Sequence, residues 1–156
     1  MEFGDNIRTI IEENCEDYFL GKADLSQPDQ IVKEQYASLI TIYPQAISIG
    51  ITLPYKITEE TFNRTNLNYD EFNHKLDNIT RNLCDLLDCE GYKALGVPKS
   101  GTINNEIFSS LHYLAASNAN LGRIEKNMFI TPEVGLGVDW GTVLTDAPLE
   151  IICPDL

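Results

Sequence analysis

Within the run from Pro44 to Leu53, Ile47, Ile49 and Ile51 alternate with Ala46, Ser48 and Gly50. That alternation predicts a β-strand with one bulky face and one nearly bare face. A bare face admits either a closely packed helix or something flat, such as a cofactor. The helix is the stronger expectation, because helices are the commoner neighbours of small residues in a sheet.

Helical spacing surrounds this strand. Ile7, Ile10, Ile11, Cys15 and Tyr18 predict an opening amphipathic helix that ends near Gly21, followed by a short strand at Ala23 to Leu25. Pro28 and Asp29 mark the start of a second helix, with Ile31, Val32, Tyr36, Leu39 and Ile40 on its buried face. Residues 54 to 68 are polar and read as a loop. Tyr69, Phe72, Leu76, Ile79, Leu83, Leu86 and Leu87 then recur every three or four residues, which predicts a long helix capped at Asn68 and left at Gly91.

Tyr92 to Val97 reads as a strand entering a turn at Pro98 to Gly101, and Glu106 to Ala119 as a helix. Met128 to Thr131 and Val138 to Thr145 read as strands around a hairpin turn containing Gly135 and Gly137. Alternating helices and strands in 156 residues imply one domain, spanning 1–156, of the α/β (α+β) class, with helices against a mixed sheet.

Charge narrows the partners. With 24 acidic and 11 basic residues the net charge is −13, which repels phosphate backbones and anionic lipid headgroups, so we expect no direct nucleic acid and no membrane partner. No apolar run approaches the length of about 20 residues needed to cross a bilayer. The N-terminus lacks the features of a secretory signal, so a cytoplasmic location is expected. Cys15, Cys84, Cys89 and Cys153 form no C-x-x-C pair; they read as reduced thiols and do not suffice for a standard iron–sulfur cluster within this chain. No nucleophile motif, Walker loop or zinc spacing is present.

The last third carries a resemblance. His112-Tyr-Leu-Ala-Ala-Ser-Asn-Ala-Asn-Leu-Gly122, Thr131-Pro-Glu-Val-Gly135 and Val143-Leu-Thr-Asp-Ala-Pro-Leu-Glu150 are similar to the corrinoid-binding domain of the iron–sulfur epoxyqueuosine reductase and reductive dehalogenase group. Its corresponding segments read approximately HKxAAxxAGLGWIGK, LLITPEYG and VLTDAPLE. Tyr43 to Gly50 and Tyr69 to Pro98 resemble the family's early strand, long helix and next strand, so the similarity covers nearly the whole chain. The resemblance implies a nitroreductase-like fold that holds cobalamin between this domain and a cluster-bearing domain. The latter is expected to be missing from a chain that stops at Leu156.

Carried over by position, His112, Ala115, Ala116, Ala119, Leu121, Gly122, Ile124 and Lys126 keep the family's residues. Asn120 and Glu125 stand where it has glycines, Arg123 where it has tryptophan, and Tyr113 where lysine is usual. Asn tolerates the positive φ that glycine allows, whereas its side chain hinders close backbone approach; Glu125 adds bulk and charge to the same loop. The resemblance assigns cofactor contacts to His112, Asn120, Leu121, Gly122, Lys126, Thr145 and Asp146.

Plainer roles compete with these assignments. His112 is equally a helix residue satisfied by a neighbour, and Tyr113 is foremost a packing residue. Lys126 also suits a surface ion pair, and Asp146, before Pro148, suits a turn. His74 lies on a polar helix face and is expected to be solvated. Three functions remain open. The first is a standalone corrinoid-domain homologue, an oxidoreductase-type subunit needing a ferredoxin or other cluster-bearing partner. The second is a non-catalytic module that keeps the fold to dimerise or bind a partner. The third is a flavin-binding nitroreductase-like protein.

Overall fold

A computed structural model describes residues 3–26, 33–53, 70–97, 105–125 and 128–148. Its elements are α1 (Phe3–Glu12), β1 (Tyr18–Asp24), α2 (Lys33–Ile42), β2 (Gln45–Thr52), α3 (Asp70–Cys89), β3 (Ala94–Gly96), α4 (Asn105–Asn118), β4 (Arg123–Glu125), β5 (Met128–Ile130) and β6 (Val138–Thr145). Four strands form a sheet in the order β1-β2-β6-β3, and β4 pairs with β5 in a separate ribbon. The expected α+β class is the observed one. In place of the expected mixed sheet, each described pairing is antiparallel.

The alternation in β2 explains the layering. Ile47, Ile49 and Ile51 join Ile7 and Ile11 of α1, Leu76, Ile79, Leu83 and Leu87 of α3, and Val143 of β6 in one buried cluster. On the opposite face Ala46 packs with Ala23, Ile40, Leu111, Ala115 and Leu144, so α2 and α4 cover the bare side. The helix expected against the small residues is α4. Each fully buried leucine or isoleucine in these layers contributes about 1.5–3 kcal/mol by leaving water.

Helix α3, whose expected face residue Tyr69 lies outside the described residues, follows its apolar spacing from Phe72 to Leu87. It ends in a Schellman closure: Gly91 takes φ 88°, the Tyr92 N–H donates to the Leu87 carbonyl (3.0 Å), and the Gly91 N–H donates to that of Asp88 (3.0 Å). Asn68, its expected cap, and the 54–68 loop lie outside the described residues, as do the second helix's expected start at Pro28 and Asp29 and the turn at Pro98 to Gly101.

The first helix is shorter than expected, and the strand after it is longer. Helix α1 stops at Glu12, and Tyr18, expected on its face, opens β1. All seven residues of β1 find partners along β2, from Tyr18↔Ile51 to Asp24↔Gln45. Ladder pairing along β2 therefore outweighs the apolar spacing that would have continued the helix. The Asn78 Nδ2 donates to Asn14 Oδ1 (2.8 Å), tying the end of α1 to α3.

Cys84 lies half-buried on α3, and burial, followed by the charge of Asp85, pushes its thiol up from 9.0 to about 11 against a hydrogen bond from Gly96. The unfolded thiol ionises first as pH rises, so this group's contribution is complete below pH 9.0 and is lost on the way to about 11. Urea unfolding at pH 8 and pH 10 should show a larger alkaline loss for the native chain than for Cys84→Ala. Equal losses would exclude this thiol as the cause.

Candidate functional site

Two turns of α4 bring the resemblance's first residues to the sheet. His112 is buried, 2 % exposed, and its Nδ1 lies 2.7 Å from Thr142 Oγ1 on β6, with the tautomer deciding which group donates. The neighbouring Tyr113 stacks on Phe129 at 5.8 Å between ring centroids, and Phe129 meets Trp140 edge-on at 5.0 Å. Phe19 completes this group at 5.9 Å from Trp140. Burial, then the charge of Asp139, raises the Tyr113 hydroxyl above its ordinary value, so it stays protonated at neutral pH.

Trp140 owes its place to Gly50, its directly opposed partner on β2. A Cβ on Gly50 would stand 2.7 Å from the Trp140 ring and 2.6 Å from Val138, so only glycine lets the indole lie on the strand. The bare end of β2 is thus covered from within the chain by an aromatic side chain, and its middle by α4.

Helix α4 closes as α3 does, with Asn120 in the glycine role. Asn120 adopts φ 63°, its N–H donates to the Ser117 carbonyl (3.0 Å), and the Leu121 N–H donates to that of Ala116 (3.1 Å). Leu121 packs against the cluster that contains Ala116, the apolar contact that usually accompanies this closure. The position read as tolerating positive φ does adopt it. Asn120→Gly should therefore change stability by only a few tenths of a kcal/mol, whereas Asn120→Val should cost about 1–2 kcal/mol. Thermal unfolding of the pair checks this, and equal melting points would exclude a backbone role for the residue.

Beyond the turn, Gly122 lies against the Ile130 carbonyl oxygen and, by the place its Cβ would take, 2.7 Å from Phe129. The segment 123–125, read as part of a loop, is strand β4, paired with β5 from Arg123↔Ile130 to Glu125↔Met128. Its side chains point to solvent, Ile124 at 49 % exposure, and Arg123 Nε donates to Glu125 Oε2 at 2.8 Å. The ribbon is therefore held by backbone pairing and by Phe129; an exposed ion pair adds about 0–1 kcal/mol. Lys126 lies outside the described residues.

Thr145 and Asp146 serve the end of β6. The Thr145 Oγ1 donates to the Lys93 carbonyl (2.6 Å) and accepts from the Ala147 N–H (3.1 Å), while Asp146 Oδ1 accepts from the Lys93 N–H (2.9 Å). Together they clamp the approach to β3, an edge strand, onto β6. Thr145 is buried and Asp146 exposed.

His112 and the 120–122 turn thus share the α4 face of the sheet, and the β6 end forms a second locus. Residue reasoning missed Thr142, Phe129 and Trp140. A visible signal existed for two of them: β6 alternates Trp140 and Thr142 on the face that carries Leu144, and a threonine within such a face needs a polar partner. Among the described residues no three His, Cys, Asp or Glu side chains cluster as metal ligands, and no helix is long and apolar enough to cross a membrane. His74 is exposed, as expected.

No family model matches this chain, and no curated protein does. Solved structures do. The epoxyqueuosine reductase from Streptococcus thermophilus superposes with a TM-score of 0.55 at 17% identity, over 97% of this chain and 48% of that one. The enzyme from Bacillus subtilis gives 0.54 at 16% identity, over 97% and 49%. An epoxyqueuosine reductase with an epoxyqueuosine-modified tRNA-Tyr stem loop gives 0.53 at 16% identity, again over 97% and 49%. The chain therefore has the fold of part of an epoxyqueuosine reductase and spans about half the length of these proteins.

Proposed function

We propose that this chain is the cofactor-domain half of an epoxyqueuosine reductase-like oxidoreductase, binding cobalamin and depending on a separate ferredoxin or other cluster-bearing donor. The observation that carries this reading is the turn after α4. Asn120 replaces the family's glycine and still holds the left-handed backbone, so the Asn120-Leu121-Gly122 turn keeps the shape that glycine would impose. The residues present fit the group to that extent: an exposed amide at Asn120 and main chain at 121–122 would contact it, above an apolar floor of Leu121, Phe129 and Trp140.

By the resemblance Lys126 would pair with a phosphate or an amide of the cofactor, whereas Asp146, at the second locus, accepts from the Lys93 N–H and would orient the cofactor only from there. Cobalamin, when bound, supplies the electron-accepting and electron-donating centre that the protein side chains lack. This chain's own part is to bind, to orient and to exclude water. His112 acts through α4, which its bond to Thr142 ties to β6. The RNA of the tRNA-bound neighbour is not carried over, because a net charge of −13 opposes a polyphosphate ligand.

A specific observation favours the second reading, an interaction or dimerisation module without a cofactor. His112, Gly122 and Thr145 are engaged inside the fold, while Ile124 and Val134 are presented to solvent near the β4–β5 ribbon. Anaerobic titration with oxidised and reduced cobalamin, with flavin mononucleotide as control, separates the two. Saturable binding with a shift to the base-off spectrum is expected. Absence of binding to either cofactor would sink the first reading and leave the second, and binding of flavin alone would favour a nitroreductase-like role.

A further inference from the structure

We propose that Ser48 anchors a buried water site between β2, β6 and α4, in which one internal water bridges the Ser48 and Thr142 hydroxyls. Ser48 is wholly buried, 0 % exposed, and its Oγ has no hydrogen-bond partner among the described residues. In an antiparallel ladder its main-chain N–H and C=O both point to one neighbouring strand, and Ser48 is register-paired with Gly21 of β1 on one side and Thr142 of β6 on the other. A buried hydroxyl in that position calls for a partner, and ordered water is the usual one when protein groups do not reach.

The register supplies the second end of the bridge. Ser48 and Thr142 are directly opposed, so their side chains emerge on the same face. Opposed Cβ atoms in an antiparallel pair stand about 4.5–5.5 Å apart, so rotation of Ser48 about χ1 can set the two hydroxyl oxygens at the separation that two hydrogen bonds of about 2.8 Å each through a single water require. Thr142 has the capacity. A hydroxyl offers one donor and two acceptor sites, and only one of these faces His112 Nδ1 at 2.7 Å.

Small neighbours frame the site. Gly21, opposed to Ser48 on its other side, has no side chain, and Ala119 and Leu121 close over it, while α4 contributes the fully buried Ala115 and Ala116 to this face. Water matches this chemistry better than a cation, since among the described residues no group of metal-ligating side chains is present. The bridge links Ser48, the water, Thr142 and His112 into one polar connection from the centre of the sheet to α4. It does not depend on whether a cofactor binds.

Oxygen-17 water relaxation dispersion on the native protein and on Ser48→Ala tests the site, with urea unfolding of the same samples. The variant should lose one long-lived internal water and unfold at a lower urea midpoint. A dry, orphaned hydroxyl predicts the opposite sign, because its removal relieves an unsatisfied group. An unchanged number of long-lived waters, or an unchanged or raised midpoint, overturns the proposal.

Discussion

Trp140→Ala should destabilise the protein by about 3–5 kcal/mol, the usual cost of emptying a buried aromatic site. Trp140 is 2 % exposed and contacts Phe129, Phe19 and the backbone of Gly50, so its removal strips partners from three elements at once. The helix above is fixed by Leu111 and Ala115 against other residues, which limits how far it can sink into the space. Against a typical total of about 5–15 kcal/mol, such a loss brings the chain near its unfolding threshold. It is the only tryptophan, so far-UV circular dichroism during urea unfolding is the suitable probe. A loss below about 1 kcal/mol would mean that the site collapses freely and that the ring is not the keystone of this face.

Gly122→Ala is expected to cost about 1–3 kcal/mol, by crowding rather than by conformational strain. The new methyl would meet the Ile130 carbonyl oxygen and, at 3.0 Å, its carbon; backbone atoms cannot rotate aside as a side chain does. Either the turn after α4 or strand β5 must shift. Gly91→Ala is the informative control: nothing lies within 4 Å of its Cβ position, and only φ 88° penalises the change. Amide shifts in Gly122→Ala should concentrate at 120–125 and 128–131, the two strands that meet at the turn. Shifts confined to the substituted residue would show that the ribbon is looser than its packing implies.

Periodicity found α3 because there the side-chain pattern and the buried face coincide. Leu76, Ile79, Leu83 and Leu87 repeat at helical spacing and all meet one face of the sheet. Tyr18 shows where that reasoning fails. Its spacing from Ile11 and Cys15 suits a helix, yet the pairing of β1 along β2 draws it into a strand. A local pattern records which residues are apolar, and a non-local ladder selects among the backbones that can bury them. The site was legible to a similar degree. Asn120 was read as compatible with positive φ and adopts it, whereas β4 was invisible because three exposed residues carry no alternating apolar signal.

The sequence by itself determined the fold class, the long helix, the two-faced character of β2 and a net charge that opposes polyanionic ligands. These follow from side-chain type and spacing, which are local quantities. Only the tertiary structure decided that His112 faces Thr142, that Trp140 lies on Gly50, and that Thr145 and Asp146 clamp the approach to β3. Each of those contacts joins residues 30 to 90 positions apart by chain number, 112 to 142, 93 to 145 and 50 to 140. Such pairs become neighbours only when the strand register is set, and register is a property of the assembled sheet.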